Sequence, residues 1–533
     1  MWEMNRRSII TLLLSVLTVF SVSAEGRRLL PPGGCIAPGD AALTRAVATR
    51  ASSPAIGDIC VPIILAAYSD VPFTVPDVQQ VWHDIANKPG YAEHGARGSM
   101  ADYFLEQSRG LFRVTFDVLG PVTLPEKREY YGKNSGSGSG TDVKATTMIR
   151  DACMRALAGG ADFSRYDWNG DGSIETVLVI YAGPGENVRE APAEYVWPKM
   201  GYAPYQVGSH YLSLYACSNE LVWPDMTQDG FGTLLHEFSH CLGLPDLYNV
   251  DGSVDGYTVF DEWDLMDGGC YAADGWQPVG YSAYERYLCG WLEPEELSQQ
   301  TAIDDLKPLT DGGKAYLIRN DAKPDECFML ENRQWQSFDN ALPGHGLLIT
   351  HISGYGSSSL SPNIGSTVKV YPIAADNRSY ADCLRDYVQQ YYHETLPSDV
   401  FDMPVVYKDS VDDAFGRTRL MTRLAYPYVE EGIILNDRLT DDSTPAAVTL
   451  SPNASGLYLL SRPVTDIRET DGLVSFRFMD SEIAISEVLT RNPPSTGVLP
   501  SYFDLQGRRL AHPAPGTLCI ARYADGTIKK IVR

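Results

Sequence analysis

"GTLLHEFSHCLGLPDLYN", Gly232–Asn249, is the stretch on which the reading of this chain turns. It holds two of the nine histidines, four residues apart, with Glu237 beside the first and Gly243 and Asp246 further on. Leu234, Leu235, Phe238 and Leu242 recur at close to helical spacing, which predicts a helix with an apolar face. His236 and His240 then sit one turn apart on the same face. Both imidazoles can reach one ion at the usual zinc–nitrogen distance of about 2.0–2.1 Å. Glu237 lies one step round the helix, too oblique for a third ligand but able to touch a metal-bound water, which suits a general base.

The tail of the stretch completes the set. A helix that must stop and fold back needs a residue tolerant of positive φ, and Gly243 supplies it. Pro245 forbids continuation. Asp246 can then return as a third, oxygen ligand. Three protein ligands leave a fourth position for water, the catalytic pattern rather than the closed structural one. Chance would place an HExxH pattern in such a chain about 0.01 times, so an ordinary buried helix is the weaker explanation. Cys241, between the two histidines and Asp246, points elsewhere on the helix and reads as core. Downstream, "FDEWDLMDGGCYAADG" (Phe260–Gly275) carries Met266 in a Gly- and Asp-rich turn, a candidate apolar floor beneath the metal.

Composition sets the frame. With 533 residues, 44% hydrophobic and 21% charged, the chain is ordinary globular material long enough for about three domains. A net charge of -25 argues against nucleic acid as a partner, because a phosphate backbone needs a basic face. The N-terminus has Arg6 and Arg7, an apolar run from Ile9 to Val22, and small residues at Val22-Ser23-Ala24. This predicts a signal peptide, residues 1–24, removed after Ala24, and no transmembrane helix in the mature form. The ten cysteines include no CxxC, and their pairing is not legible.

Residues 25–55, rich in Pro, Gly, Ala and Arg, read as a prosegment or linker. Over 56–298, "CVPIILAAYSD" (Cys60–Asp70) and "TVLVIYAG" (Thr176–Gly183) predict buried strands, and "TDVKATTMIRDACMRAL" (Thr141–Leu157) a helix. "GSMADYFLEQSRGLFRVTFDVLGPV" (Gly98–Val122) predicts a helix broken at Gly110 and followed by a strand. Over 299–480, "KAYLIRN", "CFMLENRQ", "GLLITHIS", "STVKVYPI" and "GLVSFRFM" are short strands between turns, a β-rich region. Residues 481–533 form a further short unit of strands and turns. The expected fold class is therefore α+β, a twisted sheet plus an active-site helix, followed by β-rich, sandwich-like regions. The acidic, aromatic stretch Asn377–Leu420 gives no assignment.

"HEFSHCLGLPD" followed by "WDLMDGG" resembles the metzincin zinc peptidases, which carry HExxHxxGxxH/D and a Met-turn. Within them the chain most resembles the M6, immune-inhibitor-A-like peptidases. "GARGSMADYFLEQSRGLF", "VLGPVTLP", "DWNGDGSIETVLVIYAG", "GWLEP" and "LENRQWQSFDNALPGHGLLITHI" add to the likeness, which covers roughly residues 56–355. The resemblance implies a metzincin-like catalytic domain and a secreted zinc endopeptidase acting on protein and peptide substrates. It implies that His236, His240 and Asp246 bind Zn2+, that Glu237 is catalytic base and acid, and that Met266 is the Met-turn residue. An aspartate as third ligand departs from most metzincins and is the M6-like form. Tyr271 is the nearest candidate for the tyrosine that stabilises the oxyanion in related enzymes, although its spacing does not match.

Three further features carry expectations. "DWNGDGSIE" (Asp167–Glu175) matches the first half of an EF-hand-type loop, so Asp167, Asn169, Asp171, Ser173 and Glu175 are candidate ligands of a structural Ca2+. The bidentate glutamate is missing, since position 12 is Leu178; an Asx-rich turn is the alternative. Cys35, in "PPGGCIAPGD", is a candidate latency ligand that would close the open metal position in a zymogen; an unrelated free or paired cysteine is the plainer alternative. The C-terminal "YFDLQGRRL…GTLCIARYADGTIKKIVR" resembles the secretion-sorting segments of Bacteroidetes proteins. A competing function from another class is a surface adhesin or glycan- or protein-binding module on an inactive peptidase scaffold. Glu237 weighs against it, because metal can bind without that residue. Cleavage specificity and oligomeric state are not legible in the sequence.

Overall fold

The computed structural model describes residues 55–136, 140–187, 191–249, 258–355, 367–380, 420–480 and parts of 501–532, with Asn363, Asp382, Cys383 and Asp386. The predicted signal peptide, the prosegment with Cys35, and most of 377–420 lie outside the described residues.

The first half is built on a seven-stranded sheet. Its strands are β1 (Gly57–Ala67), β2 (Phe112–Thr123), β3 (Ser173–Pro184), β4 (Lys199–Tyr202), β5 (Gln206–Val207), β6 (His210–Val222) and β7 (Thr227–Gln228). The order is β2-β1-β3-β6-β4, with β5 and β7 also on β6. β1, β2, β3 and β6 run parallel, and β4 pairs β6 antiparallel. The helices are α1 (Val78–Asn87), α2 (Met100–Gln107), α3 (Arg128–Gly132), α4 (Ala145–Ala158), α5 (Gly232–Cys241) and α6 (Ala283–Leu288).

Parallel strands buried on both faces read as continuous apolar runs, which is why "VPIILAA" shows no alternation. Val61, Ile63 and Leu65 of β1 join one core with Trp82 of α1, Phe104 of α2 and Phe238 of α5. Ile64 and Ala66 join the opposite core with Met148, Ile149 and Ala152 of α4. A capping box starts α2: Asp102 donates its N–H to Ser99 Oγ at 3.2 Å, and Ser99 N–H donates to Asp102 Oδ2 at 2.9 Å.

The second half holds β8 (Glu295–Glu296), β9 (Thr301–Leu306), β10 (Ala315–Arg319), β11 (Glu326–Arg333), β12 (Gly346–Ser353) and β13 (Val370–Pro372). It continues with β14 (Tyr428–Glu430), β15 (Ile433–Asn436), β16 (Val464–Thr470) and β17 (Leu473–Phe478), then β18 to β21 between Ser501 and Val532. β13-β12-β11-β10-β8 form a five-stranded sheet, and β16-β17-β9 a three-stranded one. Between these two sheets Ile318, Phe328, Leu330 and Ile349 pack with Ile467, Phe476 and Phe478 in a sandwich-like core.

The other face of the five-stranded sheet does not meet solvent. Leu317, Cys327, Met329, Leu348 and Ile352 belong to the same core as Leu235, Phe238 and Met266 of the first half. The core beneath α5 therefore runs across residue 298, and β11 is buried along its whole length. The observed mixture of a helix-covered sheet with β-rich layers is the organisation the sequence predicts.

Candidate metal centre

α5 begins against its neighbours' backbone. A Cβ at Gly232 would collide with the carbonyl oxygen of Cys270, so only glycine lets the helix start so close to the turn that follows Met266. The helix stops as expected. Gly243 has φ 94°, its N–H donates to His240 O at 2.9 Å, and Leu244 N–H donates to Ser239 O at 3.1 Å. These two bonds are the Schellman arrangement, which satisfies the last helical carbonyls. The chain then reverses and brings Asp246 under the histidines.

The three predicted ligands converge. His236 Nε2 lies 3.3 Å and His240 Nε2 3.2 Å from Asp246 Oδ1. All three side chains are buried. His236 Nδ1 is 2.9 Å from Leu265 O, and His240 Nδ1 is 2.8 Å from Leu244 O. A carbonyl only accepts, so each Nδ1 carries the proton and each Nε2 presents a lone pair. Two imidazole lone pairs and a carboxylate oxygen thus face one point. His240 Nε2 and Asp246 Oδ1 receive no hydrogen bond from the described residues.

Such a set of buried acceptors needs a cation. A tetrahedral ion about 2.0–2.1 Å from each ligand would separate them by about 3.3 Å, which is the spacing seen, so the residues fit zinc. Burial alone would raise the Asp246 carboxyl; without a cation, protonated His240 and His236 rings outweigh it and hold it well below the usual carboxylate range, the place that a bound cation takes when the rings are neutral. Glu237 is fully buried next to His236.

The turn Trp263–Gly269 is the second wall. Leu265 O holds His236, and Met266 O accepts from Leu247 N–H at 2.9 Å, next to Asp246. Asp264 Oδ1 accepts from Met266 N–H at 2.8 Å. Asp267 Oδ2 accepts from the N–H groups of Val259, Phe260 and Asp261 at 2.8–3.2 Å. Met266 is fully buried in the common core, and the turn's backbone makes the hydrogen bond to His236.

This geometry can be set beside known proteins. No protein-family model matches the chain. It is 28% identical over 225 residues to immune inhibitor A of Bacillus thuringiensis subsp. alesti, covering 37% of this chain and 32% of that protein. It is 25% identical over 233 residues to the pre-pro-metalloprotease PrtV of Vibrio cholerae serotype O1, covering 38% of this chain and 25% of that one. The chain is related to the immune-inhibitor-A-like, M6 metallopeptidases. The match spans only about a third and a quarter of the length of these two relatives.

The remaining candidates of this M6-like chain fall in different places. Asp167, Asp171 and Glu175 do gather, with carboxylate oxygens within 4.8 Å of one another. Their surroundings differ from the buried set. Asp167 accepts from the N–H groups of Gly170, Asp171 and Gly172, Asn169 from Asp171 N–H, Asp171 from Ser173 N–H, and Glu175 from Trp168 N–H. Leu178, the would-be twelfth position, is buried in β3 and offers no oxygen. Tyr271 ends the short turn Gly268–Tyr271, partly buried against the main core five residues beyond Met266. Cys35 lies outside the described residues.

Sequence reasoning missed the residues that hold the candidate ligands. Leu244 and Leu265 act through their carbonyls, which leave no mark on side-chain pattern. Asp264 and Asp267 did have a signal: two acids flank Leu265-Met266 directly in the Gly- and Asp-rich turn, and all four are fully buried.

Proposed function

We propose that this chain is a secreted, zinc-dependent endopeptidase that hydrolyses peptide bonds in proteins. The observation that carries the reading is the convergence of His236 Nε2 and His240 Nε2 on Asp246 Oδ1, at 3.3 and 3.2 Å, beside the buried Glu237. The likeness to proteins named as metalloproteases supports it. His236, His240 and Asp246 would hold the ion, and the Leu265 and Leu244 carbonyls fix the two rings in the tautomer that binds it. Zinc, when bound, supplies Lewis-acid polarisation of a carbonyl and of water. Glu237 takes a proton from the water that attacks the peptide carbonyl and passes it to the departing amine. No side-chain nucleophile is required.

The metzincin-like class of the first half, catalytic (56–298), accessory (299–480) and C-terminal (481–533) units, and a structural Ca2+ at Asp167–Glu175 are parts of the same proposal. So are a signal peptide, a prosegment with Cys35 as latency ligand, and Tyr271 as oxyanion stabiliser. The "pre-pro" in the name of PrtV supports the leader and prosegment. Among the described residues no helix is long and apolar enough to cross a membrane.

The test is casein hydrolysis by processed, zinc-loaded protein. We expect o-phenanthroline to stop it and added zinc to restore it. Glu237→Gln should retain zinc while turnover falls by roughly 10²–10⁴-fold, the usual contribution of a general base. Turnover indifferent to chelation, or a Glu237→Gln variant as active as the parent, would overturn the reading.

A further inference from the structure

The strand of chain between the Met266 turn and α6 is braced by buried side chains from distant elements. Gly280 N–H donates to Asp339 Oδ1 at 3.0 Å, and Gly280 O accepts from Arg333 Nη2 at 2.9 Å. Tyr281 N–H donates to Gln107 Oε1 at 2.8 Å, and Tyr281 O accepts from Arg286 Nε at 3.2 Å. Ser282 N–H donates to Glu285 Oε2 at 2.7 Å and Ala283 N–H to Glu331 Oε1 at 3.0 Å. Arg333 grips Asp339 with two bonds, at 2.9 and 2.8 Å. Glu285, Arg286, Glu331, Arg333 and Asp339 are all buried. Well-packed apolar residues would stabilise a core at least as well as so many buried charges, so mere stability is a poor account of them.

The bracing leads to the metal ligands. Glu285 is hydrogen-bonded to Asp264. Asp264 Oδ2 and Glu285 Oε1 are both buried and receive no N–H or O–H from other residues, and two carboxyls hydrogen-bonded to each other must share one proton. Burial and the neighbouring Asp264 carboxylate push Glu285 far up, so the pair keeps that proton. Asp264 in turn holds Met266 N–H, and that turn presents Leu265 O to His236 and Met266 O to Leu247, beside Asp246. Tyr281 OH also meets Ser239 Oγ on α5, between the two histidines.

We propose that Asp264, fixed by Glu285 next to the segment that the Arg333–Asp339 pair braces at Gly280, is a positioning residue for the metal ligands His236 and Asp246, which makes β11 of the β-rich half a working part of the centre. The proposal rests on the zinc reading above and adds the groups that aim its ligands. Outer partners of this kind are worth roughly 10–100-fold in metal affinity or activity.

The test uses the full chain and four variants: Asp264→Ala, Glu285→Ala, Glu285→Gln and Arg333→Lys. Zinc affinity is measured by chelator competition, ligand geometry by the visible absorption bands of Co2+-loaded protein, and turnover by kcat and KM. Asp264→Ala and Glu285→Ala should bind zinc roughly 10–100-fold more weakly, shift the cobalt bands, and lose kcat with little change in KM. Glu285→Gln, which keeps a neutral donor facing Asp264, should restore affinity and bands. Arg333→Lys keeps the charge, loses the two-bonded grip, and should shift the bands in folded protein. Alanine variants that fold and match the parent in zinc affinity and cobalt bands overturn the proposal. A Glu285→Gln variant as impaired as Glu285→Ala does so too. If the alanine variants fail to fold, unchanged bands in Arg333→Lys overturn it. A parent that binds no zinc sinks the zinc reading instead, so the two failures are distinct.

Discussion

Two places in this molecule gather possible metal ligands, and they are built in opposite ways. At α5 the atoms are buried and point at one another, and the two histidines spend their Nδ1–H on backbone carbonyls. At Asp167–Glu175 the carboxylates sit in a partly exposed loop and accept hydrogen bonds from that loop's own N–H groups. Motif matching treats both as ligand strings. The structure teaches that ligand chemistry is decided by what else can satisfy the oxygen or nitrogen. A buried acceptor facing other acceptors has only a cation to turn to, whereas an exposed carboxylate in an Asx-type turn also has backbone and water.

The comparison can be broken experimentally, most forcefully at α5. His240→Ala removes a ligand outright and should cost more zinc affinity than the 10–100-fold that an outer partner carries, with activity lost alongside. Equilibrium dialysis with zinc checks it; near-parental binding would mean that the three acceptors are not a metal site. Asp167→Ala, at the exposed loop, should leave zinc binding and kcat unchanged while lowering the melting temperature only when calcium is present. A parent whose melting temperature ignores both calcium and EGTA removes the calcium reading and leaves an Asx-rich turn.

Buried and exposed carboxylates should also part company in pH. Burial raises Glu331 from 4.5 to about 7 and Asp267 from 3.8 to about 7. Between about pH 4 and 7 the folded state therefore binds more protons than the unfolded one. These groups make stability fall as pH rises through that window and add no slope above it. Urea unfolding of metal-depleted protein at pH 5 and 7.5 should show the fall, and Glu331→Gln should make it shallower; a slope as steep as the parent's would refute this assignment. The smallest effect is expected at the helix stop. Gly243→Ala forces a Cβ into φ 94° and should destabilise by about 1 kcal/mol. It should also loosen zinc, because Leu244 O, which holds His240, is part of the same turn.

Legibility in the sequence followed the range of the interaction. The strand at Cys60, the helix–break–strand at Gly98–Val122 and the stop at Gly243 were readable because apolar runs, caps and glycines act within a few residues. The likeness in "LENRQWQSFDNALPGHG" marked residues 330–346 without saying what they do. Glu331, Arg333 and Asp339 in it turn out to brace Gly280–Ala283, a contact made across about 50 residues of chain, which no local pattern encodes.

The sequence alone determined the candidate ligand set: two histidines one helical turn apart, a glutamate beside them, and a glycine and proline that return Asp246. That follows from helix periodicity and backbone sterics, which belong to the local chain. Only the tertiary structure decided that the turn at Leu265-Met266 holds His236 by a carbonyl, and that one face of β11 shares the core beneath α5. Those facts depend on which surfaces and hydrogen-bonding groups come together when the chain excludes water. They also tie the core beneath the centre to both halves of the chain, although every candidate ligand lies in the first.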